Sequence, residues 1–264
     1  SSFGNPATFF GHILLRFNIE KNNHGNMLLN PTINFGAIVP PKENSLSYFF
    51  NGVFGFYAGR YTIQKFYAHN HMYGEVELRD LWEYVLNLNP EQTKRLAYHT
   101  WELLNNVDFK YYFFKENCAF RFAKLLEYVL DSPILTAELS LWTIPVNVFY
   151  PLKEIEVDGK PLIKEVRFHP SRQRRLINKI DRFDSSEKEW VVSIFNSISV
   201  LDSVKFKSLI LQKKIKILDA LIDYFQYKII DDPTKEELKS QKRLVLFSRS
   251  RLGLRKKEEI NSRL

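Results

Sequence analysis

A cysteine and a histidine are the residues of this chain best suited to covalent chemistry. Cys118 is the single cysteine among 264 residues and lies in the stretch 116–120 (ENCAF). His12 lies far upstream, in an apolar and aromatic run. A thiol that an imidazole deprotonates is a strong nucleophile, so this pair is the minimum equipment for thiol catalysis. The alternative is a small buried cysteine and a structural histidine.

The elements around both residues would position them for this chemistry. The run around His12 predicts a strand, and a helix is predicted to begin at Asn117 or Cys118. Apolar residues then recur at helical spacing: Phe122, Leu125, Leu126 and Val129. In the first turn, the helix dipole favours the thiolate. Asn117 would cap this turn, and its side chain or the local backbone would join an oxyanion hole.

A catalytic imidazole also needs a group that holds it in place. Asn34 lies in the stretch 32–36 (TINFG), on the strand that we expect beside the strand of His12. A polar side chain inside such an apolar run makes Asn34 the candidate orienting residue. The alternative is an asparagine in a turn at the strand end.

Strands and two helices are predicted across the first 150 residues. Asn89 and Pro90 are typical of a helix start, with an N-cap followed by proline. Residues 75–87 alternate in part and predict a strand. The run 47–67 is rich in Phe, Tyr and Gly, and we interpret it as loop mixed with strand.

The second part of the chain has a different pattern. A hairpin is predicted around Asp158 and Gly159, and helices follow His169. We therefore predict an α+β fold with two domains: a catalytic domain over residues 1–150, and a β-hairpin with a basic helical region over residues 151–264.

The composition limits the classes of partner. The formal net charge is +8, and the excess lies mainly in the second half. This charge favours an anionic membrane surface, since no nucleic-acid motif accompanies it. The alternative is a solvated helical face. A single cysteine excludes an internal disulfide framework, and no apolar run reaches the roughly 20 residues of a membrane-spanning helix.

Metal and cofactor chemistry is not expected. His69 and His71 flank Asn70, but no carboxylate or cysteine cluster at ligand spacing joins them. The chain has no signal peptide and opens on Ser1 without methionine. We expect it to be a fragment of a longer protein.

The order of the two candidate residues along the chain is also informative. In ordinary papain-like enzymes the cysteine helix precedes the histidine strand, whereas here His12 precedes Cys118. This order resembles a circularly permuted papain-like fold, which we therefore predict for the catalytic domain.

Longer strings resemble one family. Residues 5–17 (NPATFFGHILLRF) resemble the histidine motif of the Lnb N-terminal periplasmic domain family of bacterial envelope proteins. Residues 111–118 (YYFFKENC) resemble its cysteine motif. Further stretches match in the same order: 57–61 (YAGRY), 79–84 (RDLWEY), 141–146 (LWTIPV), 169–172 (HPSR) and 248–253 (SRSRLG). The resemblance covers almost the whole chain, with Ala119 departing from the small hydroxyl residue that is more usual there.

The resemblance implies a fold, a location and a reaction. The family is related to the NlpC-type and lecithin retinol acyltransferase-like folds, and its named member is a lipoprotein N-acyltransferase. Cys118 would take an acyl chain from a phospholipid as a thioester, and His12 would help its transfer to a lipoprotein amine. The implied location is the periplasm, facing a bacterial membrane. Members usually carry further sequence before this region and a membrane-embedded part after it, so N- and C-terminal parts of a longer chain are expected to be missing.

Such substrates suggest further site residues. Arginine recognises phosphate and carboxylate groups with a planar fork, and tyrosines would line an acyl groove. The candidates are Arg16, Arg60, Arg121, Tyr57 and Tyr112. The alternative for the arginines is a structural ion pair, for example Arg121 with Glu116, and for the tyrosines it is an aromatic core.

Three functions therefore stay open from the sequence. The first is a thiol-dependent acyltransferase with Cys118, His12 and Asn34. The second is a cysteine peptidase or amidase that acts on cell-wall peptide. The third is an envelope scaffold without catalysis, which would apply if Cys118 were buried away from His12.

Overall fold

The computed structural model describes residues 11–19, 27–135 and 143–261. These residues form two compact units. The sheet unit contains the described residues up to Met72 and residues 82–168, and the helical unit contains residues 73–81 and the described residues from His169 onward.

The sheet unit contains most of the strands. The strands of the described residues are β1 Leu14–Arg16, β2 Pro31–Ala37, β3 Tyr57–Lys65, β4 Leu81–Leu86, β5 Phe109–Tyr111, β6 Glu156–Val157, β7 Lys160–Pro161 and β8 Ile163–His169. The first helices are α1 Ser45–Phe54, α2 Phe66–Asn70, α3 Pro90–Asn106, α4 Cys118–Leu130 and α5 Pro145–Lys153. A 3-10 turn spans Met27–Leu29, and α2 continues into a π-helical segment, His71–Val76.

An antiparallel sheet with the order β1-β2-β3-β5 forms the centre of this unit. Its register places Asn34 opposite Leu14 on one side and Thr62 on the other. Ile33 and Phe35 alternate with Asn34 and are buried in the core. The strand that carries Asn34 is therefore held next to the β1 segment that follows His12, as predicted.

The two predicted helices form where caps begin them. Asn89 accepts a hydrogen bond from the backbone of Gln92, and the Gln92 side chain accepts one from Asn89 in return, so α3 opens with a capping box. Asn117 caps α4, which then buries one apolar face with Phe122, Leu125 and Val129 against the sheet core.

The prediction of loop and strand over residues 47–67 was wrong in its first half, because α1 occupies Ser45–Phe54. Asn44 caps its N-terminus, and Gly55 ends it in the left-handed conformation at φ 75°. Gly52 has no side chain, and the ring of Phe113 fills the space that one would take. That contact is tertiary and has no local sequence signal.

The single strand predicted over residues 75–87 was also wrong at its start. The π-helical segment extends to Val76, and β4 begins only at Leu81. Leu78 has a left-handed backbone at φ 58° between them, which no continuous strand would tolerate.

The helical unit follows β8. It contains α6 Arg172–Asp181, α7 Ser185–Asn196, a 3-10 turn at Ile198–Asp202, α8 Val204–Lys207, α9 Leu211–Asp231 and α10 Glu236–Asn261. Its core is apolar and centres on α9, where Ile217, Leu221 and Phe225 are fully buried.

The predicted α+β class, with an antiparallel sheet and a C-terminal helical region, is confirmed. The hairpin formed by β6 and β7 turns at Asp158 and Gly159, as expected. By its contacts this hairpin belongs to the sheet unit. The division at residue 150 and the permuted papain-like topology stay predictions.

Candidate functional site

Cys118 is the first residue of α4, and its side chain is only 2% exposed. The thiol hydrogen-bonds with His12 and with the backbone of Ile13 and Ala119. Burial alone would raise the pKa of the Cys118 thiol, but the charge of His12 and these hydrogen bonds outweigh it and lower the pKa. The structure thus brings together the two residues that the sequence placed far apart.

Asn34 completes a chain of three side chains. The Nε2 atom of His12 lies 2.5 Å from Oδ1 of Asn34, and Nδ2 of Asn34 donates to Oγ1 of Thr62 at 3.3 Å. In this arrangement Oδ1 of Asn34 faces the ring and accepts from Nε2–H of His12. Nδ1 is then the ring nitrogen that can exchange a proton with the thiol.

Asn117 is buried and uses its whole side chain to fix the start of α4. Its Oδ1 atom accepts from the backbone N–H groups of Ala119 at 3.0 Å and Phe120 at 3.2 Å. Its Nδ2 atom donates to the carbonyl oxygens of Phe113 at 3.0 Å and Thr143 at 2.7 Å. Both amide hydrogens are therefore engaged, and the side chain serves as a cap.

In the first turn of α4, the backbone N–H of Cys118 differs from the three N–H groups that follow it. The carbonyl of Asn117 accepts from Arg121 N–H at 3.1 Å, and its side chain engages Ala119 and Phe120. Asn117 therefore binds three of the four amides that open α4 and leaves that of Cys118 to other partners. That N–H belongs to Cys118, the candidate nucleophile, where an oxyanion would form in thiol catalysis.

His69 is a second histidine at the site, and the sequence did not indicate it. It lies in α2 and is buried. Burial, and after it the charge of His12, lowers the pKa of His69. His69 is therefore buried and lies within electrostatic range of His12. Only the fold reveals this proximity, because His69 follows β3 without any local motif.

Arg121 and Arg16 make internal contacts. Arg121 pairs with Glu116, the partner that the alternative interpretation named, and its guanidinium stacks 4.0 Å from the ring of Phe109. Arg16 pairs with Glu83. Burial lowers the pKa of both guanidinium groups against the opposing effect of their carboxylates.

The remaining candidates also have protein partners. Arg60 forms an exposed pair with Asp108 at 2.8 Å. The Tyr57 hydroxyl donates to Glu43, and burial together with this bond raises the pKa of Tyr57 to about 12. Tyr112 packs over Gly55. The substrate-binding roles of these arginines and tyrosines stay predictions.

The described part of the chain lacks two features of other classes of protein. No group of three or more His, Cys, Asp or Glu residues there is placed to hold a metal ion. Among the same residues, no helix combines the length and the hydrophobicity that a membrane span requires.

Comparison with known proteins agrees with the resemblance seen in the motifs. Searches among curated proteins and among solved structures found no significant match. The family model for the Lnb N-terminal periplasmic domain matches residues 1–154, which include His12, Asn34 and Cys118. Its description suggests a location in the bacterial envelope. The chain belongs to the Lnb N-terminal periplasmic domain family.

Proposed function

We propose that this chain is a thiol-dependent acyltransferase of the bacterial envelope, in which Cys118 is the nucleophile, His12 the base and Asn34 the orienting residue. The observation that supports it most is the hydrogen-bonded chain from the thiol through His12 to Asn34 at the start of α4. A scaffold would not need this chain, which brings a buried thiol together with two part-buried polar side chains.

The first step forms an acyl-enzyme. The Cys118 thiolate attacks the ester carbonyl carbon of a phospholipid, and the negative charge moves to the carbonyl oxygen. In this proposal the backbone N–H of Cys118 stabilises that oxyanion. The C–O bond of the ester then breaks, and the leaving alcohol takes a proton from the His12 imidazolium. The product is a thioester on Sγ.

The second step transfers the acyl group. The amine of a lipoprotein attacks the thioester carbonyl, and Nδ1 of His12 accepts a proton from the attacking nitrogen. The C–S bond breaks, an amide forms, and the sulfur leaves as thiolate beside the protonated histidine. Asn34 keeps the imidazole in one orientation through both steps because its amide is itself fixed by Thr62.

The surroundings of Cys118 support transfer to an amine over hydrolysis. The thiol lies in an aromatic core cluster with Phe35, Tyr61 and Phe122. Water has poor access to such a place, which protects a thioester from hydrolysis. An envelope enzyme that draws acyl chains from phospholipid must also face a membrane, and the proposal therefore includes a periplasmic, membrane-facing location and an anionic lipid surface as partner.

Intact-mass spectrometry after incubation with phospholipid vesicles tests this proposal. We expect a fatty-acyl adduct on the wild-type chain that hydroxylamine releases. The adduct should be absent from Cys118→Ala and at least a hundredfold slower to form in His12→Ala. His99→Ala is the matched control, because His99 is a histidine on α3 whose contacts, an ion pair with Glu102 and a ring contact with Tyr128, involve neither Cys118 nor His12.

Two results would overturn the proposal. An adduct that persists in Cys118→Ala would place the chemistry elsewhere. Cleavage of a cell-wall peptide by the wild-type chain, dependent on Cys118 and without any lipid adduct, would instead establish a cysteine peptidase.

A further inference from the structure

The outer side of α1 carries an exposed row of apolar side chains. Its members, called the aromatic ridge below, are Leu46, Phe49, Phe50 and Phe54 on α1 and Phe56 just after it. Their exposed fractions range from 42% at Phe49 to 74% at Phe56. The rings of Phe50 and Phe54 stack in parallel with centroids 6.2 Å apart. A contiguous apolar surface of this kind marks an interaction site.

The inner side of α1 is already packed. The ring of Tyr48 contacts the rings of Tyr57 and Phe113. Gly52 lies against Phe113, and Gly55 at the end of the helix lies against Tyr112. The helix is therefore apolar on both sides, and a helix that is apolar all round is normally buried. We therefore expect the outer side of α1 to contact an apolar partner from outside the described chain.

The aromatic ridge is held rigidly. Asn44 caps α1 at one end, and Gly55 closes the other end with a bond from its N–H to the carbonyl of Asn51. Glu43 accepts hydrogen bonds from Asn51, at 2.6 Å, and from Tyr57. A preformed surface loses little conformational entropy on binding.

The charges near the ridge favour an anionic partner. The segment Ser45–Phe54 contains no charged residue. Glu43 is engaged with Asn51 and Tyr57. Lys42 is exposed just before the helix. Lys110 is also exposed, and it lies opposite Ala58 in the sheet, where Ala58 follows Phe56 by two residues. An apolar helix face with cations near both of its ends is typical of helices that lie in the interface of an anionic bilayer.

The ridge is also linked to the nucleophile through the backbone. The N–H of Phe113 donates to the carbonyl of Gly52 at 2.8 Å. The carbonyl of Phe113 accepts from Nδ2 of Asn117 at 3.0 Å, and Asn117 caps the helix of Cys118. The inner side of α1 thus supports the segment that delivers Cys118.

We propose that the aromatic ridge inserts into the surface of an anionic phospholipid bilayer and holds the sheet unit there. The choice of a bilayer as the partner rests on the proposed function, which needs an acyl donor from a membrane. The ridge itself is a binding surface and takes no part in the chemistry.

Vesicle flotation of the 264-residue chain tests the inference. We expect wild type to bind vesicles of phosphatidylglycerol and phosphatidylethanolamine, and to bind vesicles of phosphatidylcholine several-fold less tightly. Phe50→Ser with Phe54→Ser should weaken binding to the anionic vesicles at least about tenfold, because two apolar side chains are lost from the buried area. Both side chains are exposed, so the melting temperature should stay unchanged.

Tyr98→Ser with Trp101→Ser is the matched control, because these aromatic residues are equally exposed on α3. This control pair should bind vesicles as wild type does. Equal vesicle binding by wild type and the Phe50 and Phe54 double variant would overturn the inference. The inference would also be overturned if wild type did not bind vesicles and formed a dimer, because the ridge would then bind a second copy of the chain.

A water-soluble, short-chain phospholipid separates this inference from the proposed function. We expect the Phe50 and Phe54 double variant to form the thioester with that donor at the wild-type rate. A variant that loses thioester formation with the soluble donor would show that the ridge belongs to the catalytic machinery, against the inference. If no chain forms a thioester while vesicle binding still depends on the ridge, the proposed function fails and the ridge assignment stands.

Discussion

The two units of this chain differ in the polar groups that they bury. In the sheet unit, the uncharged side chains of Asn117 and His69 are buried around the candidate site. In the helical unit, the core around α9 is apolar, and its buried carboxylate, Glu187, is paired with Lys216. Further charges of this unit also form ion pairs: Arg172 with Glu75, Arg174 with Asp80, Lys179 with Asp223, and Arg249 with Asp219. Buried polar groups are costly unless they are paired, and in the sheet unit they surround the candidate site, which is where we expect function.

The same comparison bears on the net charge of the chain. The basic helices of the second half were predicted either to bind an anionic membrane or to be a solvated face. The internal ion pairs favour the solvated face, since many cations there already have carboxylate partners. The apolar surface of α1, in the other unit, is better suited to a membrane.

The largest expected effect is on catalysis. His12→Ala should slow thioester formation on the order of 10²–10⁴-fold, because the thiol loses its base. Asn34→Ala should cause a smaller loss, because the imidazole stays present but is no longer oriented. Intact-mass time courses measure both rates. Equal rates for wild type and His12→Ala would show that the polar groups around Cys118 do not mark a catalytic site.

The next effect is on packing, and it should have opposite signs in the two units. A Cβ on Gly52 would lie 2.2 Å from a Phe113 ring atom, so Gly52→Ala should destabilise the chain by about 1–3 kcal/mol. A Cβ on Gly253 in α10 meets nothing within 4 Å, so Gly253→Ala should stabilise it by about 0.5–1 kcal/mol. Urea denaturation measures both, and a neutral Gly52→Ala would contradict the tight contact.

These glycines also show how far the sequence alone could lead. The caps at Asn89 and Asn117 are local features, so the starts of α3 and α4 could be predicted. The pairing of His12 with Asn34 followed from two adjacent strands. α1 was missed although Asn44 caps it in the same way, because Gly52 weakens the helical pattern and its reason, the contact with Phe113, is tertiary. The proximity of His69 to His12 likewise depends on the fold.

A third effect concerns an ion pair of the helical unit. Burial would raise the pKa of Glu75, but hydrogen bonds and charges from Arg175 and Arg172 outweigh it and lower the pKa. The stabilisation is therefore present above the unfolded carboxyl pKa and is lost as the pH falls below it. Glu75→Gln should cost about 1–3 kcal/mol at pH 7, and thermal melts should show that this difference shrinks towards pH 3.

The smallest effect is expected at an exposed pair. Glu165 and Arg167 form a bidentate contact in the sheet unit, at 2.7 and 2.6 Å, and both side chains are exposed. Such pairs contribute little. Glu165→Gln should leave the melting temperature unchanged, and a clear drop would show that surface charge stabilises the sheet unit as well.

The most direct test of the central claim is the pH dependence of alkylation by iodoacetamide. Cys118 is the single cysteine, so the reaction reports on it alone. Because His12 and the backbone lower the pKa of the thiol, wild type should react with a midpoint below that of a free cysteine, which is roughly 8.5. His12→Ala should raise that midpoint, whereas His99→Ala should not. A wild-type midpoint at or above the ordinary value, unaffected by His12→Ala, would contradict an activated nucleophile.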